Sequence, residues 1–342
     1  MSNIHNTFKV SIIMPVYNVS NVIKRAIHSI IDQTYSPIEC IIINDATPDN
    51  SMYIIQNILK QYTGDIDFKI IKHQTNKGLS QARNSGLNTA SGDYIYYLDS
   101  DDEITPDCIS KLIETAKQYP QANLIQGCYK TYPEEEIDFF ELNSKDLPTY
   151  IDGNYQVNHC FFNQKKIPIT AWNKLIKREF ILKHNILFKE GIIYEDLPWI
   201  FIIVRHLDFL AFNKDITYKY YKQPTSISKS SSYSRGLESF SVIIRDCYDN
   251  TSDVLSRLQK TFIFHILLLR IYDIYRLYPE PDIIKKYIAL SKYILNDSIK
   301  TYHFRDSIKS FGYIIILHSI RKPIFRKVIE FVKARKVVKI YS

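Results

Sequence analysis

Tyr94-Ile95-Tyr96-Tyr97-Leu98-Asp99-Ser100-Asp101-Asp102 starts as a short apolar run and ends in three carboxylates within four residues. Its β-forming residues read as a buried strand that delivers acid to its own C-terminal edge. Asp99, Asp101 and Asp102 cannot neutralise one another, so crowding them costs free energy unless a cation or hydrogen-bond donors sit among them. Oxygen-only ligands suit Mg²⁺ or Mn²⁺, and Mg²⁺ is typically held by one or two carboxylates together with substrate phosphates. The local chemistry therefore reads as a metal-diphosphate site. The plainer alternative is an acidic turn that caps the helix after Pro106, and the rest of the chain decides between them.

Upstream, Val10-Ser11-Ile12-Ile13-Met14 is a strand stopped by Pro15-Val16-Tyr17-Asn18, after which Val22, Ile23, Ala26, Ile27, Ile30 and Ile31 recur at helical spacing. Ile38 to Ile43 is a second strand, and Met52, Ile55, Ile58 and Leu59 mark the next helix. Phe68 to Ile71 gives a third strand, followed by a helix whose Ala82, Gly86 and Ala90 form a stripe of small residues suited to close packing on a sheet. Wholly apolar strands alternating with amphipathic helices indicate an α/β, Rossmann-like, mostly parallel sheet sandwiched by helices. Ligands of such sheets bind beyond the C-terminal strand ends, so Tyr17-Asn18, Asn44-Asp45 and Asp99-Ser100-Asp101 are expected to share one crevice. No glycine fingerprint follows the first strand, which argues against a dinucleotide site and leaves a pyrophosphate to metal and basic side chains.

Four stretches now carry a resemblance: Pro15 to Asn18, Asn44-Asp45-Ala46-Thr47-Pro48-Asp49-Asn50-Ser51, Asn76-Lys77-Gly78-Leu79-Ser80-Gln81-Ala82-Arg83-Asn84-Ser85-Gly86, and Leu98 to Asp102. Together they resemble the family 2 glycosyltransferases, inverting enzymes with the GT-A fold. The resemblance covers about residues 8 to 230. It departs at Asn44 and Ala46, where an acid and a glycine are more common. By this resemblance Pro15, Val16, Tyr17 and Asn18 line the nucleoside pocket and Asp45 bonds the base. Asp99 and Asp101 hold the ribose side and the Mn²⁺ or Mg²⁺ ion, Ser100 lies with the nucleotide, and Lys77 and Arg83 assist at the diphosphate.

In the second half, Ala171-Trp172-Asn173-Lys174-Leu175 precedes Phe188 to Trp199, which contains Glu195-Asp196. An Asp flanked by Leu197, Pro198 and Trp199 is partly desolvated, which raises its pKa as a general base requires. Alternatively the two acids complement a helix dipole. The run resembles the family's Trp-x-Lys segment followed by a Glu-Asp pair. That resemblance makes Asp196 the catalytic base, with Glu195 and Trp172 at the acceptor. Tyr218 to Lys222 leads into Pro224 to Lys229, a basic, Ser-rich stretch expected to be mobile, and Lys219, Lys222 and Lys229 could supply charge to a diphosphate. Tyr132 to Pro148 reads as an acidic surface excursion.

The 342 residues allow one large domain with an appendage, and 45 % apolar content supports a real core. We place a catalytic domain at 8–235, with a nucleotide-sugar half at 8–120 and an acceptor half at 121–235. A helical C-terminal extension follows at 236–342. No leader-type segment precedes Lys9 and no apolar run approaches a bilayer span, which implies a cytoplasmic protein. Five dispersed cysteines read as reduced filler, without zinc. Ile263, Ile266, Leu267 and Arg270 lie on a nearly all-apolar helix, to be buried against the catalytic domain or in a homodimer. Residues 321–340 hold eight basic residues against Glu330, a net +7 of the chain's +8, a pattern suited to a helix on an anionic membrane surface. The expected partners are thus a nucleotide-sugar donor, a glycan or lipid-linked glycan acceptor and that membrane surface, with no nucleic acid. Competing readings are a sugar nucleotidyltransferase, which would need a glycine- and basic-rich loop over residues 14–25, and an inactive glycan-binding partner, which would have no reason to keep Asp99, Asp101 and Asp196.

Overall fold

The structure is a computed structural model that describes residues 7–133, 144–223, 232–252, 256–277 and 280–300. The basic tail 321–340, Lys229 and most of the acidic excursion lie outside the described residues. The first half alternates as expected: β1 (Val10–Val16), α1 (Ile23–Ile31), β2 (Ile38–Asn44), α2 (Ser51–Leu59), β3 (Asp67–Lys72), α3 (Leu79–Thr89) and β4 (Tyr94–Tyr97). After it come β5 (Glu103–Ile104), α4 (Cys108–Gln118), β6 (Leu124–Tyr132), β7 (Tyr150–Asp152), α5 (Asn154–His159), β8 (Lys174–Lys177), α6 (Arg178–Lys183), α7 (Asp196–His206) and β9 (Phe209–Tyr221). These strands join in one sheet of order β3-β2-β1-β4-β8-β6-β9-β5, with β7 on β9.

β1, β2, β3 and β4 run parallel, and β8 enters antiparallel between β4 and β6. β1 extends through Pro15 and Val16, two residues beyond the expected stop. Proline is tolerated there because β4 accompanies β1 only as far as Ile13, so Pro15 stands past the last rung on that side. The small-residue stripe of α3 packs as its composition implies: a Cβ on Gly86 would lie 2.4 Å from Ile13 Cγ2 and 3.0 Å from Ile43 Cδ1.

Beyond Pro120 the sequence pattern loosens, yet β6 and β9 form the long parallel pair that extends the sheet. Two register shifts around Cys128 interrupt the period-two pattern of β6, and Asn213, Lys214 and Asp215 interrupt the apolar run of β9. Tyr218 to Tyr221, which lead into the stretch expected to be mobile, are the end of β9, and Lys219 is ion-paired with Glu103 at 2.6 Å.

The described residues fall into two compact units, one drawn from Met1–Gly191 and Glu195–Ser226, the other from Ile192–Tyr194 and Ile227–Ser342. In the second, α8 (Tyr233–Asp249) packs with α9 (Ser256–Leu277) and α10 (Pro281–Lys300). Ile263, Ile266 and Leu267 are buried within the single chain, which leaves them no face for a second subunit. Arg270 pairs with Asp273 at 3.1 Å and lies over the Phe240 ring. Among the described residues no helix is long and apolar enough to cross a membrane.

Candidate active site

The C-terminal ends of β1, β2 and β4 carry the expected polar clusters. At β1, Pro15 and Val16 are buried in the strand, whereas Tyr17 is 45 % exposed and Asn18 adopts φ 56°. The Asn18 N–H donates to Thr47 Oγ1 at 2.8 Å, tying this turn to the one after β2. There Asp49 accepts from Thr47 Oγ1, Ser51 N, Ser51 Oγ and Ser20 N. Burial would raise its pKa, but these donors outweigh burial and hold the carboxyl below the usual range.

Asp45, expected to bond a nucleobase, has different partners. Its carboxylate is 3 % exposed and takes the Lys77 and Gly78 N–H groups, each at 2.8 Å, with His73 Nδ1 at 2.7 Å. The resemblance implies a base contact, but here the carboxylate satisfies two backbone donors. Asp45 therefore fixes the turn that starts α3, and the Lys77 side chain stays exposed.

Carboxylate oxygens of Asp99, Asp101 and Asp102 lie within 4.8 Å of one another. Asp102 is turned inward, accepting from Tyr218 Oη at 2.7 Å and Tyr221 N at 2.8 Å, and so ties the acid turn to β9. Arg25, which the motifs did not single out, donates to the Asp101 carbonyl and stacks 3.5 Å over the Tyr221 ring. Burial, and then the Asp99 charge, push Asp101 up to about 6. Asp99 and Asp101 thus form an all-oxygen, charge-crowded pair that fits a hard divalent cation. Ser100 between them is buried.

Arg83, expected at the diphosphate, is 1 % exposed and faces carboxylates instead. Nη2 donates to Asp99 Oδ1 at 2.8 Å, while Nη1 donates to Asp196 Oδ1 at 2.7 Å and Glu195 Oε1 at 3.0 Å. One guanidinium thereby joins the acid cluster to the Glu-Asp pair of the second half, more than a hundred residues away. Helix α3 fixes both ends: Asn84 exchanges two 2.9 Å hydrogen bonds with the Phe188 backbone, and Ser80 Oγ donates to Lys189 O at 2.6 Å. Glu195 stands at the N-cap of α7 and Asp196 begins it, so these acids also occupy the dipole position. Burial, then Asp196, push Glu195 up to about 7, and burial raises Asp196 with Arg83 opposing. The second Asp196 oxygen accepts the Ala171 N–H at 3.1 Å.

Trp172, expected to meet the acceptor, is 5 % exposed. Its indole stacks on Tyr218 at 4.4 Å and on Tyr220 at 5.5 Å, and meets Tyr129 edge-on at 4.8 Å. The resemblance implies an acceptor contact for Trp172, but here its ring is part of the core. Its neighbour Asn173 knits the sheet, accepting from Thr217 Oγ1 and donating to Cys128 O. This close approach requires Gly127, where a Cβ would lie 2.3 Å from Thr217 Oγ1.

The sheet order and the acid cluster after β4 are those of a GT-A α/β fold. The chain belongs to glycosyl transferase family 2, whose profile matches residues 11–183, just over half its length. It is 33 % identical over 222 residues to the uncharacterized glycosyltransferase EpsJ of Bacillus subtilis, a match covering 64 % of this chain and 63 % of that one, less than two thirds of the relative. The fold is similar to S. aureus TarS 1–349 in complex with UDP-GlcNAc (TM-score 0.65, 15 % identity, 92 % of both chains). It is also similar to the mannosyltransferase PcManGT of Pyrobaculum calidifontis in complex with GDP-Man and Mn²⁺ (TM-score 0.55, 13 % identity, 92 % of this chain and 87 % of that one).

Proposed function

We propose that the chain transfers a sugar, with inversion, from a nucleoside-diphosphate sugar to a hydroxyl of a glycan or lipid-linked glycan in bacterial surface-polysaccharide assembly. The observation that supports this is the Arg83 guanidinium, which is ion-paired both with Asp99, the proposed donor-side acid, and with Asp196, the proposed base. Asp196 takes the proton of the acceptor hydroxyl while that oxygen bonds to the anomeric carbon and the bond from that carbon to the diphosphate oxygen breaks. Burial and mutual repulsion raise both Glu195 and Asp196, so the pair gives up its protons less readily than separate carboxyls, and the ionised form of Asp196 acts as the base. A divalent cation on Asp99 and Asp101 would supply Lewis-acid stabilisation of the leaving diphosphate. The exposed Lys77 ammonium adds positive charge at the same edge.

A UDP-sugar is the proposed donor, supported by the likeness to TarS in complex with UDP-GlcNAc, with the exposed Tyr17 ring as the surface on which a base stacks and Asp45 acting through the Lys77–Gly78 backbone that it fixes. Metal-dependent hydrolysis of a panel of UDP- and GDP-sugars tests the assignment. Chelation or Asp101→Ala should abolish hydrolysis, and Asp196→Asn should keep donor affinity while lowering turnover by roughly 10²-fold or more. Full activity in chelator would sink the metal assignment. Calorimetry in which GDP binds as tightly as UDP would refute the donor.

A further inference from the structure

Lys174 opens β8 with its side chain wholly buried. Its ammonium donates to the Thr170 carbonyl at 2.6 Å, four residues back. Within the turn so closed, the Ala171 N–H points at Asp196 Oδ2, and Asn173 takes φ 57°. Burying an ammonium is expensive, and a methionine of similar length would fill the same space without that cost. Burial pushes the group down to about 7, with the Asp196 carboxylate opposing. The charged groups around Asp196 are Arg83 on α3, Asp99 after β4, its neighbour Glu195, and Lys174 on β8. Arg83 engages Oδ1, and the Thr170–Lys174 turn supplies the contact to Oδ2.

We infer that Lys174 is a positioning residue for the proposed base: by holding the Thr170 carbonyl it aims the Ala171 N–H at Asp196 Oδ2 and so fixes the carboxylate plane. The inference rests on Asp196 as the base, and the full chain carrying Lys174→Met tests it separately. Amide hydrogen exchange needs no substrate: the Ala171 amide should exchange about three- to tenfold faster in the variant, the loss of one modest hydrogen bond. Turnover at saturating donor should fall about tenfold or more through misplacement of the base, with donor affinity held within twofold. The midpoint of urea unfolding should not drop, because an apolar side chain replaces a buried charge.

Unchanged exchange at Ala171, or unchanged turnover, overturns the role of Lys174. A lowered unfolding midpoint with a matching loss of donor binding also overturns it, since Lys174 would then be structural. The double variant with Asp196→Asn separates the two ideas. If Asp196→Asn alone leaves turnover intact, the base assignment fails while the exchange result still judges the turn. If both single variants slow turnover and the double variant is no slower than Asp196→Asn, Lys174 acts through Asp196.

Discussion

One guanidinium cannot neutralise three carboxylates, and beside Arg83 burial raises both Glu195 and Asp196. Arg83→Met should destabilise the fold at pH 8 by about 3–5 kcal/mol, the range for a buried ion pair stripped of one partner. The loss should shrink at pH 5, where Glu195, with its pKa raised to about 7, is already protonated and repels its neighbours less. Urea unfolding at the two pH values measures this, and an equal loss at both would show that the carboxyls do not share the clamp. Lys174 gives the opposite sign. Its folded pKa lies near 7, below the ordinary 10.5, so the unfolded chain binds more protons between those values. Wild-type stability should therefore rise relative to Lys174→Met as pH increases through that window; parallel profiles would contradict a depressed lysine. These residues were visible in the sequence as motif members, but their partners were not. An arginine in a glycine-led helix start looks like a phosphate ligand until the fold shows that acids distant in the chain reach it first.

Among the elements, α3 does the most to position the site, since it carries Arg83 and Asn84 and packs on β1 and β2. Gly86→Leu would force side-chain atoms into Ile13 on a fully buried strand, and overpacking of this kind costs about 1–3 kcal/mol. The urea midpoint should fall at unchanged m, and an unchanged midpoint would mean that α3 stands further from the sheet. The elements of the first half were legible because β1, β2 and β4 are buried on both faces and α1 keeps a clear amphipathic period, with Ile23, Ala26, Ile27 and Ile30 buried. The second half was not. β6 carries bulges, β9 changes character midway, and β8 offers four residues, so no window holds a period long enough to read. The acid turn after β4 was likewise found by its chemistry, while the inward turn of Asp102 depends on Tyr218 and Tyr221, which come from a strand the pattern concealed.

On the scale of the whole molecule, charge is distributed unevenly: with a net +7 in residues 321–340, the remaining 322 positions are close to neutral. On a helix, Phe325, Val328, Ile329, Val332 and Lys336 would fall along one side, with Arg326, Lys327, Lys333 and Arg335 around the rest. Each basic residue near an anionic surface contributes about 1 kcal/mol, enough for reversible binding without insertion. A lipid-borne acceptor is confined to that same surface, so docking there would raise its effective concentration at Asp196. The full chain should co-sediment with vesicles containing an anionic lipid and not with neutral ones, and salt should reverse the binding because the attraction is screened. A chain ending at Ser319 should lose binding while keeping hydrolysis of a free sugar nucleotide, since none of the residues assigned to the crevice is removed. If the shortened chain sediments with anionic vesicles as well as the full one does, the tail is not the anchor, and the acceptor must be met without it.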